Sequence, residues 1–586
     1  MAEGNLVEEK VNPNLVWARA VVGELAASGL RHAVIAPGSR STPLVFAFNE
    51  QKNVRTYTLI DERSAAFFAL GLAKASERPT ALICTSGTAA TNFYPAVVEA
   101  HQAGVPLLVL SADRPPELQN SGANQSIEQT RLYGSFALWS VNVALPEAEP
   151  SPLLIRSLRT LAARAYATST GSRPGVVHLN FPFRKPLEPT SEAVSKSSGE
   201  AREPFTHIPP STPRLSADVL NELADTLTTC KRGAIVCGVD SPRSARFRRA
   251  LAKLSERTGF PILADAASGI RFSEDFTVLS NFDSYLNVSK GRPELDAVLR
   301  FGRTPTSASL GRYLESSDPK VYWQISGSGV WADDTHRLTA FLQNEEVDFC
   351  ERLTQLLEAR AYQKDEQVRE RFERLEQLTW DFWQETLEPF FDGAAVRILV
   401  EQLPEDSLLF VGNSLAVRHL EQFGRHRAAG LQIYANRGAS GIDGNISTGL
   451  GLGAAQPERP LFILVGDLTF YHDMNGLAAI MRCNVPATLV VLNNGGGGIF
   501  HRLPISDFEP TFTEHFLTPQ PLDFSHAAGL YGLEHHRITD LKALHDALAA
   551  PTESSNLIEV VTSSFEDHQT YTELMSRYKR FLEETL

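Results

Sequence analysis

Two polar side chains, Asp467 and Asn494, each follow a short apolar run of the sequence. The runs Leu461–Val465 and Ala487–Leu492 are rich in branched residues, which predicts two strands buried on both faces. A helical stretch over about 472–482 separates the runs, so the segment predicts one βαβ unit. Ligands of open parallel sheets bind at the carboxyl ends of the strands, so we expect both side chains to face one crevice.

The chemistry that this pair predicts is a hard cation that holds a phosphate group. Asp467 offers a carboxylate and Asn494 a side-chain carbonyl, and the glycines after Asn494 let backbone groups come close. Magnesium prefers oxygen ligands in octahedral geometry and shares them with phosphate oxygens. Either piece alone is typical of an ordinary Gly-Asp or Asn-Asn-Gly turn, so the prediction depends on the pair.

Composition limits the class of protein. A chain of 586 residues with 43% hydrophobic and 21% charged residues is typical of a globular protein with about three domains. The net charge of −14 argues against a general nucleic-acid surface, so an anionic substrate would need local arginines. Five scattered cysteines indicate reduced thiols and a cytoplasmic location. We expect neither a signal peptide nor a membrane span.

The first third of the chain predicts repeated strand–turn–helix units, typical of a doubly wound parallel sheet. Asn14 is the predicted cap of the first helix, and Arg40 lies in a Gly-Ser turn that suits an anion. Glu62 precedes a helix, 65–75, that is apolar nearly all round; such a carboxylate alone is usually a helix-dipole or salt-bridge partner. The predicted strands of this part are 32–36, 56–60, 81–85, 105–111 and 175–180.

The rest of the chain predicts a linker near 186–215, a second α/β domain and a third. A charged helical stretch, 349–388, is predicted to connect the second domain to the third. Arg418 stands four residues beyond Ser414, so both face the same side of a helix. Glycines at 449, 451 and 453 of another predicted helix indicate a close approach by a ligand or a second backbone. The predicted strands are 234–237, 261–264, 297–301, 321–324, 408–411, 432–435, 461–465, 487–492 and 557–561.

The motifs together resemble one family, the thiamine diphosphate (ThDP)-dependent synthases of 2-succinyl-5-enolpyruvyl-6-hydroxy-3-cyclohexene-1-carboxylate (SEPHCHC), the MenD family. The resemblance runs from about residue 14 to the end and is weakest in the central domain, apart from RFGRTPTS. Leu468 departs from the Gly-Asp-Gly of many ThDP enzymes but is normal in this family. The motifs are APGSRSTPL, DERSAAFFALGLAKAS, TSGTAATN, SADRPPEL, GANQSIEQ, FVGNSLAVR, NRGASGIDGNIST, GDLTFYHDMNGL and NNGGGGIF.

The resemblance implies ThDP and Mg²⁺, with Mn²⁺ as a substitute. Glu62 is the implied catalytic residue, which hydrogen-bonds the aminopyrimidine ring and activates the cofactor. The implied metal ligands are Asp467, Asn494 and the backbone carbonyl of Gly496. The implied cofactor-binding residues are Glu62, Ser414, Ile442, Asp467, Leu468, Thr469, Asn494, Gly496 and Ile499.

The implied reaction decarboxylates 2-oxoglutarate and adds the resulting succinyl unit to isochorismate in a 1,4-addition, within menaquinone or phylloquinone biosynthesis. Both substrates are dicarboxylates, and arginine pairs with carboxylate through two parallel hydrogen bonds. The implied substrate-binding residues are Ser39, Arg40, Arg114, Asn124, Gln125, Arg303, Ser414, Arg418, Arg437 and Phe500.

The fold that the resemblance implies is three doubly wound parallel-sheet α/β domains of the ThDP-enzyme type. The expected divisions are a pyrimidine-binding domain (1–188), a linker (189–215), a central α/β domain (216–360), a helical connection (361–390) and a diphosphate- and Mg²⁺-binding domain (391–586). In such enzymes the activating Glu and the metal site come from different subunits. The resemblance therefore also implies a homodimer or homotetramer with shared active sites.

Three alternatives remain open at this stage. Another ThDP enzyme, such as an acetolactate synthase or a 2-oxoacid decarboxylase, would share Glu62, Asp467 and Asn494 but would not need the arginines. A non-catalytic regulator with the same fold is less consistent with three intact site residues. A phosphate-binding NTPase would need a GxxxxGK[ST] loop, which the sequence lacks.

Overall fold

The structure is a computed structural model that describes residues 12–189, 203–273, 278–427, 430–550 and 554–586. Residues 190–202 of the predicted linker lie outside this description. The chain forms two compact units, each described by itself. Unit 1 comprises Met1–Ser211, Gly438–Gln456 and Asn475–Val485, and unit 2 comprises Thr212–Arg437, Pro457–Met474 and Pro486–Leu586.

The first sheet has six parallel strands and belongs to unit 1. The strands are β1 (His32–Ile35), β2 (Arg55–Thr58), β3 (Thr80–Cys84), β4 (Leu107–Asp113), β5 (Ala137–Asn142) and β6 (Val176–Pro182). The helices are α1 (Pro13–Ala27), α2 (Thr42–Asn49), α3 (Glu62–Ser76), α4 (Thr88–Asn92), α5 (Tyr94–Ala103) and α6 (Pro152–Ser169). The strand order is β2-β1-β3-β4-β6-β5, and α1, α2 and α6 bury apolar side chains in one core against it.

The prediction that Asn14 caps α1 is wrong. Asn12 is the cap, and its side chain accepts a hydrogen bond of 2.9 Å from the backbone N–H of Asn14. Pro13 occupies the first helical position, where its fixed φ suits the helix and its missing N–H costs nothing. The cap therefore lies just before the proline.

The second sheet has five parallel strands and belongs to unit 2. The strands are β7 (Gly233–Cys237), β8 (Ile262–Ala264), β9 (Ala297–Phe301), β10 (Val321–Ile325) and β11 (Ala340–Leu342), in the order β11-β10-β9-β7-β8. The helices are α7 (Ala217–Thr228), α8 (Ala245–Thr258), α9 (Phe282–Tyr285), α10 (Ala308–Ser317), α11 (Glu346–Ala359) and α12 (Gln367–Thr386).

The prediction of one helical stretch over 349–388 is wrong. The chain forms α11 and α12, which residues 360–366 separate. Ala361 has a left-handed backbone (φ 50°), which a continuing right-handed helix excludes. The break lets the two helices pack differently: Phe349 and Leu353 of α11 pack on the second sheet, whereas Phe372 and Trp383 of α12 join the cluster that contains the C-terminal residues Leu574, Tyr578 and Leu582.

The third sheet has six parallel strands. They are β12 (Ser407–Val411), β13 (Leu431–Tyr434), β14 (Leu461–Gly466), β15 (Thr488–Asn493), β16 (Glu534–Ile538) and β17 (Asn556–Val561), in the order β13-β12-β14-β15-β17-β16. The helices are α13 (Asp392–Gln402), α14 (Leu415–Phe423), α15 (Asn445–Ala455), α16 (Asp467–His472), α17 (Ala478–Arg482), α18 (Phe524–Tyr531), α19 (Leu541–Ala549) and α20 (Ser564–Thr585). Of these helices, α15 and α17 belong to unit 1.

The three parallel sheets confirm the predicted fold class. The five predicted domain divisions stay predictions. Among the helices that the structure describes, none is long and apolar enough to cross a bilayer.

Gly451, one of the dense glycines of α15, lies against another backbone, one of the two reasons that the sequence predicts. A Cβ on Gly451 would lie 2.1 Å from the carbonyl oxygen of Phe68, and a Cβ on Gly71 would lie 2.0 Å from that of Thr448. Only glycine permits this distance between α3 and α15. The contact holds α3, which begins at Glu62, against α15 within unit 1.

A fully buried ion pair connects α14 to the segment after β8 within unit 2. Arg271 donates to Glu421 across 2.6 Å, and the two side chains are 0% and 2% exposed. Arg271 also donates to the backbone oxygen of Ala264, and Glu421 accepts from the backbone N–H of Ala266. Because each charge has several hydrogen bonds, the pair fixes the helix that carries Arg418.

Candidate active site

The carboxyl ends of β14 and β15 place two polar residues side by side in unit 2. The strands pair in parallel with Val465 opposite Val491 and Gly466 opposite Leu492, so their next residues leave the sheet at the same edge. Asp467 leaves β14 and is the first residue of α16, and Asn494 follows β15 directly. The single helix predicted over 472–482 is instead three short elements: α16 begins at Asp467 and ends at His472, a 3₁₀ turn covers Met474–Leu477, and α17 covers Ala478–Arg482.

Asp467 is a buried carboxylate, 7% exposed. Its Oδ1 accepts a hydrogen bond of 2.8 Å from the backbone N–H of Leu468. Burial raises the pKa of Asp467 to about 7, while the backbone N–H groups of Leu468, Gly496 and Gly495 act in the opposite direction and the charge of Asp392 raises it further. A divalent cation beside this carboxylate would reverse the effect of burial.

Asn494 has one end of its amide satisfied and the other without a partner. Its Nδ2 donates to Oδ2 of Asp392 across 2.9 Å. Its Oδ1 is buried and accepts no hydrogen bond from any residue that the structure describes. A buried carbonyl oxygen without a partner costs free energy, which a cation ligated there would recover.

The glycines after Asn494 form a backbone cradle. Gly495 and Gly496 have φ angles of 83° and 140°, which side chains rarely adopt, and a Cβ on Gly496 would lie 2.2 Å from the carbonyl oxygen of Leu517. A carboxylate, an amide oxygen and close backbone groups are the donor set that Mg²⁺ takes with a diphosphate. The residues present fit the predicted cofactor and metal.

The predicted residues around this cradle lie on the same turns. Leu468 is half-buried and Thr469 is buried in the first turn of α16. Ile499 and Phe500 are half-buried in the 3₁₀ turn Gly498–Arg502. These four side chains are adjacent in sequence to the candidate ligands, and their contacts with a cofactor stay predictions.

Unit 2 also holds a group of arginines, Arg418, Arg437 and Arg502, that make no ion pair with a described carboxylate. Arg418 donates to the carbonyl oxygen of Ser414, the residue before α14, whose φ of 67° is left-handed. Arg437 donates to Oδ1 of Asn413 across 2.8 Å. Burial lowers the pKa of Arg418, and the nearby charges of Arg437 and Arg502 lower it further.

None of these three arginines makes an ion pair with a carboxylate of the described residues. Nε of Arg437 and Nη2 of Arg502 are buried and have no hydrogen-bond partner. Guanidinium groups with buried, unused N–H donors suit a bound carboxylate. Arg502 was not among the predicted residues; its guanidinium lies 4.0 Å from the centre of the Tyr571 ring, a contact that the sequence does not signal.

Arg303 differs from these arginines. Its Nε lies 3.9 Å from Oδ2 of Asp240, so an acid is already beside it. A cleft of about 340 Å³ near its loop is lined by residues that include Arg300, Thr304 and Tyr322. The substrate role of Arg303 stays a prediction.

Unit 1 brings together three of the predicted substrate residues. Nε and Nη2 of Arg114 donate to the backbone oxygen of Asn124 across 3.0 and 2.7 Å, and Nη2 lies 3.5 Å from Oε1 of Gln125. Asn124 and Gln125 are exposed, and Gln125 has a left-handed backbone. This arrangement presents one guanidinium and two amides on one loop.

Arg40 and Ser39 lie at the end of β1. Ser39 is exposed, whereas Arg40 is buried, with its backbone N–H on Oγ1 of Thr85 and its Nη1 on the carbonyl oxygen of Phe183. Nε of Arg40 is buried and has no partner. Arg40 thus has unused capacity to donate to an anion.

Glu62 lies in the first turn of α3 but does not cap it. Asp61 is the cap: one of its oxygens accepts from the backbone N–H of Ser64 and the other from Nδ2 of Asn475. Glu62 is half-buried, and its charge is one of the causes, after burial, that raise the pKa of the Cys84 thiol. Asp61, not Glu62, therefore caps this helix, and the role of Glu62 toward the cofactor stays a prediction.

The loop before α15 carries Ile442, which is half-buried in unit 1. The buried carboxylate of Glu99 accepts hydrogen bonds from the backbone N–H groups of Gly438 and Ala439 across 2.8 and 2.6 Å. These contacts fix the loop on α5. The contact of Ile442 with the cofactor stays a prediction.

Sequence reasoning also missed Asp392, the fully buried partner of Asn494. An acid at the first residue of a helix such as α13 is ordinary, because it suits the helix dipole. Nothing in the sequence separates it from the many other acids at helix starts.

Comparison with known proteins agrees with this geometry. Residues 16–132 match the family described as "Thiamine pyrophosphate enzyme, N-terminal TPP binding domain", and residues 416–560 match its C-terminal TPP binding domain. Residues 210–411 match the "Middle domain of thiamine pyrophosphate". The SEPHCHC synthase of Roseiflexus castenholzii is 49% identical over 95% of this chain and 97% of its own length.

The chain belongs to the SEPHCHC synthase family of thiamine pyrophosphate enzymes. Two further members of the SEPHCHC synthase family are also similar to it. The Haloarcula marismortui protein is 42% identical over 95% of this chain and 96% of its own length, and the Natronomonas pharaonis protein is 42% identical over 96% and 98%. As a member of this family the chain is a ThDP-dependent enzyme with an N-terminal and a C-terminal TPP-binding domain.

Proposed function

We propose that the protein is a SEPHCHC synthase of menaquinone or phylloquinone biosynthesis. It decarboxylates 2-oxoglutarate and joins the succinyl unit to isochorismate by 1,4-addition, with release of CO₂. The single observation that carries the substrate choice is the group of arginines 418, 437 and 502, none of which makes an ion pair with a carboxylate of the described residues. Both substrates are dicarboxylates, and a ThDP enzyme for uncharged substrates does not need such a group.

The proposed roles follow from the groups that each residue has free. Asp467, Oδ1 of Asn494 and the carbonyl of Gly496 would hold Mg²⁺ against the diphosphate. Bound ThDP would supply the carbon nucleophile that attacks the keto group of 2-oxoglutarate. Glu62 would hold the aminopyrimidine ring and exchange a proton with it. Arg418 and Arg437 would orient substrate carboxylates.

The function is tested by CO₂ release from 2-oxoglutarate with Mg²⁺ and ThDP, with and without isochorismate. We expect release that depends on ThDP and rises strongly with isochorismate. Release that is indifferent to isochorismate would instead indicate a different ThDP decarboxylase or carboligase. No release with several 2-oxoacids, in a protein that binds ThDP, would overturn the catalytic proposal and favour a regulator.

We also propose a homo-oligomer in which one active site uses Glu62 of one subunit and Asp467 of another. Large exposed apolar side chains support an interface: Ile60 (69% exposed) and Met481 (61%) in unit 1, and Phe508 (63%) in unit 2. A cytoplasmic location is part of the same proposal, and the free, buried thiols of all five cysteines support it.

Mixing two inactive variants tests the shared site. A mixed dimer of Glu62→Gln and Asp467→Ala subunits has one intact site if sites are shared between chains, and none if each chain builds its own. Re-associated equal mixtures should recover about a quarter of the wild-type activity, since half the dimers are mixed and each has one working site. Light scattering gives the oligomeric state, and a monomer that is fully active would refute the proposal.

A further inference from the structure

Asp392 lies directly behind the candidate metal ligand Asn494. It is the first residue of α13 and its side chain is completely buried. Oδ2 accepts from Nδ2 of Asn494 across 2.9 Å, and Oδ1 accepts from Oγ1 of Thr562 across 2.8 Å. Both carboxylate oxygens are therefore engaged with protein donors.

The backbone around Asp392 is fixed as well. Its N–H donates to Oδ1 of Asp567, in α20, across 2.6 Å. The chain after β17 is held to the same place. The backbone N–H of Thr562 donates to the backbone carbonyl oxygen of Asn493, and that of Ser564 donates to the backbone carbonyl oxygen of Asn494. The carboxylate thus occupies one position relative to Asn494.

This position decides which way the amide of Asn494 points. A side-chain amide presents an oxygen at one end and an NH₂ group at the other, and the two ends exchange when the amide flips. A carboxylate accepts only, so Asp392 admits the NH₂ end and leaves Oδ1 on the opposite side. That oxygen is the buried acceptor without a partner.

We propose that Asp392 is a positioning residue that holds the amide oxygen of Asn494 toward the Mg²⁺ site. The inference rests on the proposed function, because the cation belongs to it. Groups that orient metal ligands are often as important as the ligands, and losing one typically costs about 10- to 100-fold in metal affinity.

A second cation at Asp392 itself is the competing interpretation. Ligand atoms of Asp392, His419 and Asp567 lie within 4.8 Å of one another. Two observations favour the positioning role. Both oxygens of Asp392 already accept hydrogen bonds, and the positive charge of Arg502 acts on all three residues.

The test measures Mg²⁺-dependent binding of ThDP in the absence of substrate, with calorimetry or tryptophan fluorescence as the readout. Asp392→Ala should raise the Mg²⁺ concentration for half-maximal ThDP binding by about 10- to 100-fold. Asp392→Asn should stay near wild type, because its amide oxygen can still accept from Asn494 while the Thr562 hydroxyl turns to accept. If Asp392 acted through its negative charge, the Mg²⁺ requirement of Asp392→Asn would not stay near wild type.

The matched control is Glu559→Ala. Glu559 is a buried carboxylate, 4% exposed, that accepts from Nδ2 of Asn493 across 2.6 Å, one residue before the ligand. Its loss should lower the thermal unfolding temperature but leave the Mg²⁺ requirement unchanged. If Asp392→Ala does not fold, Thr562→Val replaces it, and we expect a several-fold higher Mg²⁺ requirement because the carboxylate loses one of its two donors.

Three results would overturn the inference. The first is a wild-type Mg²⁺ requirement in Asp392→Ala, or in the Thr562→Val variant that replaces it. The second is a Mg²⁺ requirement in Asp392→Asn as high as in Asp392→Ala, and the third is an equal rise of the Mg²⁺ requirement in Glu559→Ala. Failure of the proposed function is seen separately, in the wild-type protein. If the wild type shows no Mg²⁺-dependent ThDP binding, the function falls along with the inference. If the wild type binds normally and only the variant comparison fails, the function stands.

Discussion

Replacing Gly71 by alanine should strongly destabilise unit 1. The new Cβ would lie 2.0 Å from the carbonyl oxygen of Thr448, a distance that real Cβ atoms essentially never show, so α3 and α15 must separate by about 1 Å. Overpacking costs about 1–3 kcal/mol, and the upper end applies because the obstacle is backbone. Alanine returns about 1 kcal/mol of helix propensity. We therefore expect a net loss of about 2 kcal/mol.

Gly23 provides the matched control, because it lies inside α1 and a Cβ added to it would have no atom within 4 Å beyond its chain neighbours and the backbone of its own helix. Gly23→Ala should gain about 1 kcal/mol from helix propensity alone. The same chemical change should thus have opposite signs at the two positions, about 3 kcal/mol apart. Urea unfolding of both variants measures the difference.

Turnover provides a second readout for Gly71→Ala. Glu62 begins α3, so a shift of about 1 Å in this helix should reduce turnover by about 100-fold while Gly23→Ala leaves it unchanged. Equal stability of Gly71→Ala and Gly23→Ala would refute the argument that the glycines serve this helix contact.

The remaining predictions concern charged groups. Glu62→Gln should fold and bind Mg²⁺ and ThDP but lose at least about 100-fold in turnover, measured as CO₂ release. Asp467→Ala should lose ThDP binding itself, measured by titration with Mg²⁺ present. Burial lowers the pKa of His178 to about 4, so the folded state stays unprotonated while the unfolded chain gains a proton below about pH 6.5. Stability should therefore fall by about 3 kcal/mol as the pH falls from 6.5 to 4, and His178→Gln should reduce this slope in urea unfolding. Arg271→Met should cost about 3–5 kcal/mol by leaving Glu421 buried without its partner, and replacing both residues with apolar ones should cost less.

Each of these has a result that counts against it. Wild-type turnover in Glu62→Gln removes its assigned role, and an unchanged ThDP titration in Asp467→Ala removes the metal assignment. Equal pH slopes with and without His178 would show that other groups carry the acid sensitivity. A double variant of Arg271 and Glu421 that is less stable than either single one would mean that the pair stabilises the fold beyond avoiding a buried lone charge.

The sequence predicts the interior strands well because they are continuous apolar runs. Each predicted strand agrees with the structure within two residues at either end. The strands that it misses are β5, β11 and β16, and all three lie at sheet edges. Their side chains are mostly half-buried or exposed, as in the polar run Glu534–Ile538, so the apolar signal is absent. These three edge strands are defined by their neighbours rather than by their own composition.

The candidate site shows the same division. Asp467 and Asn494 are predictable because a strand end and a turn place them, and both are local features. Asp392 reaches the site from α13, far away in sequence, whereas Arg502 lies in the turn after β15, close to Asn494 in the chain. No local pattern distinguishes either residue from other charged residues. The predicted residues of unit 1, among them Arg114 and Asn124, depend on family motifs, and their ligand contacts stay predictions.

The packing of α15 on α3 has a consequence for synthesis on the ribosome. Residues Ser64–Ala73 of α3 are all buried, yet α15 begins roughly 370 residues after α3 ends. At about 5–20 residues per second, the nascent chain waits roughly 20–70 s before the covering helix emerges. During that interval α3 has an uncovered apolar face that chaperones would recognise. A fragment that stops at residue 211 should accordingly aggregate, although it contains every strand of the first sheet.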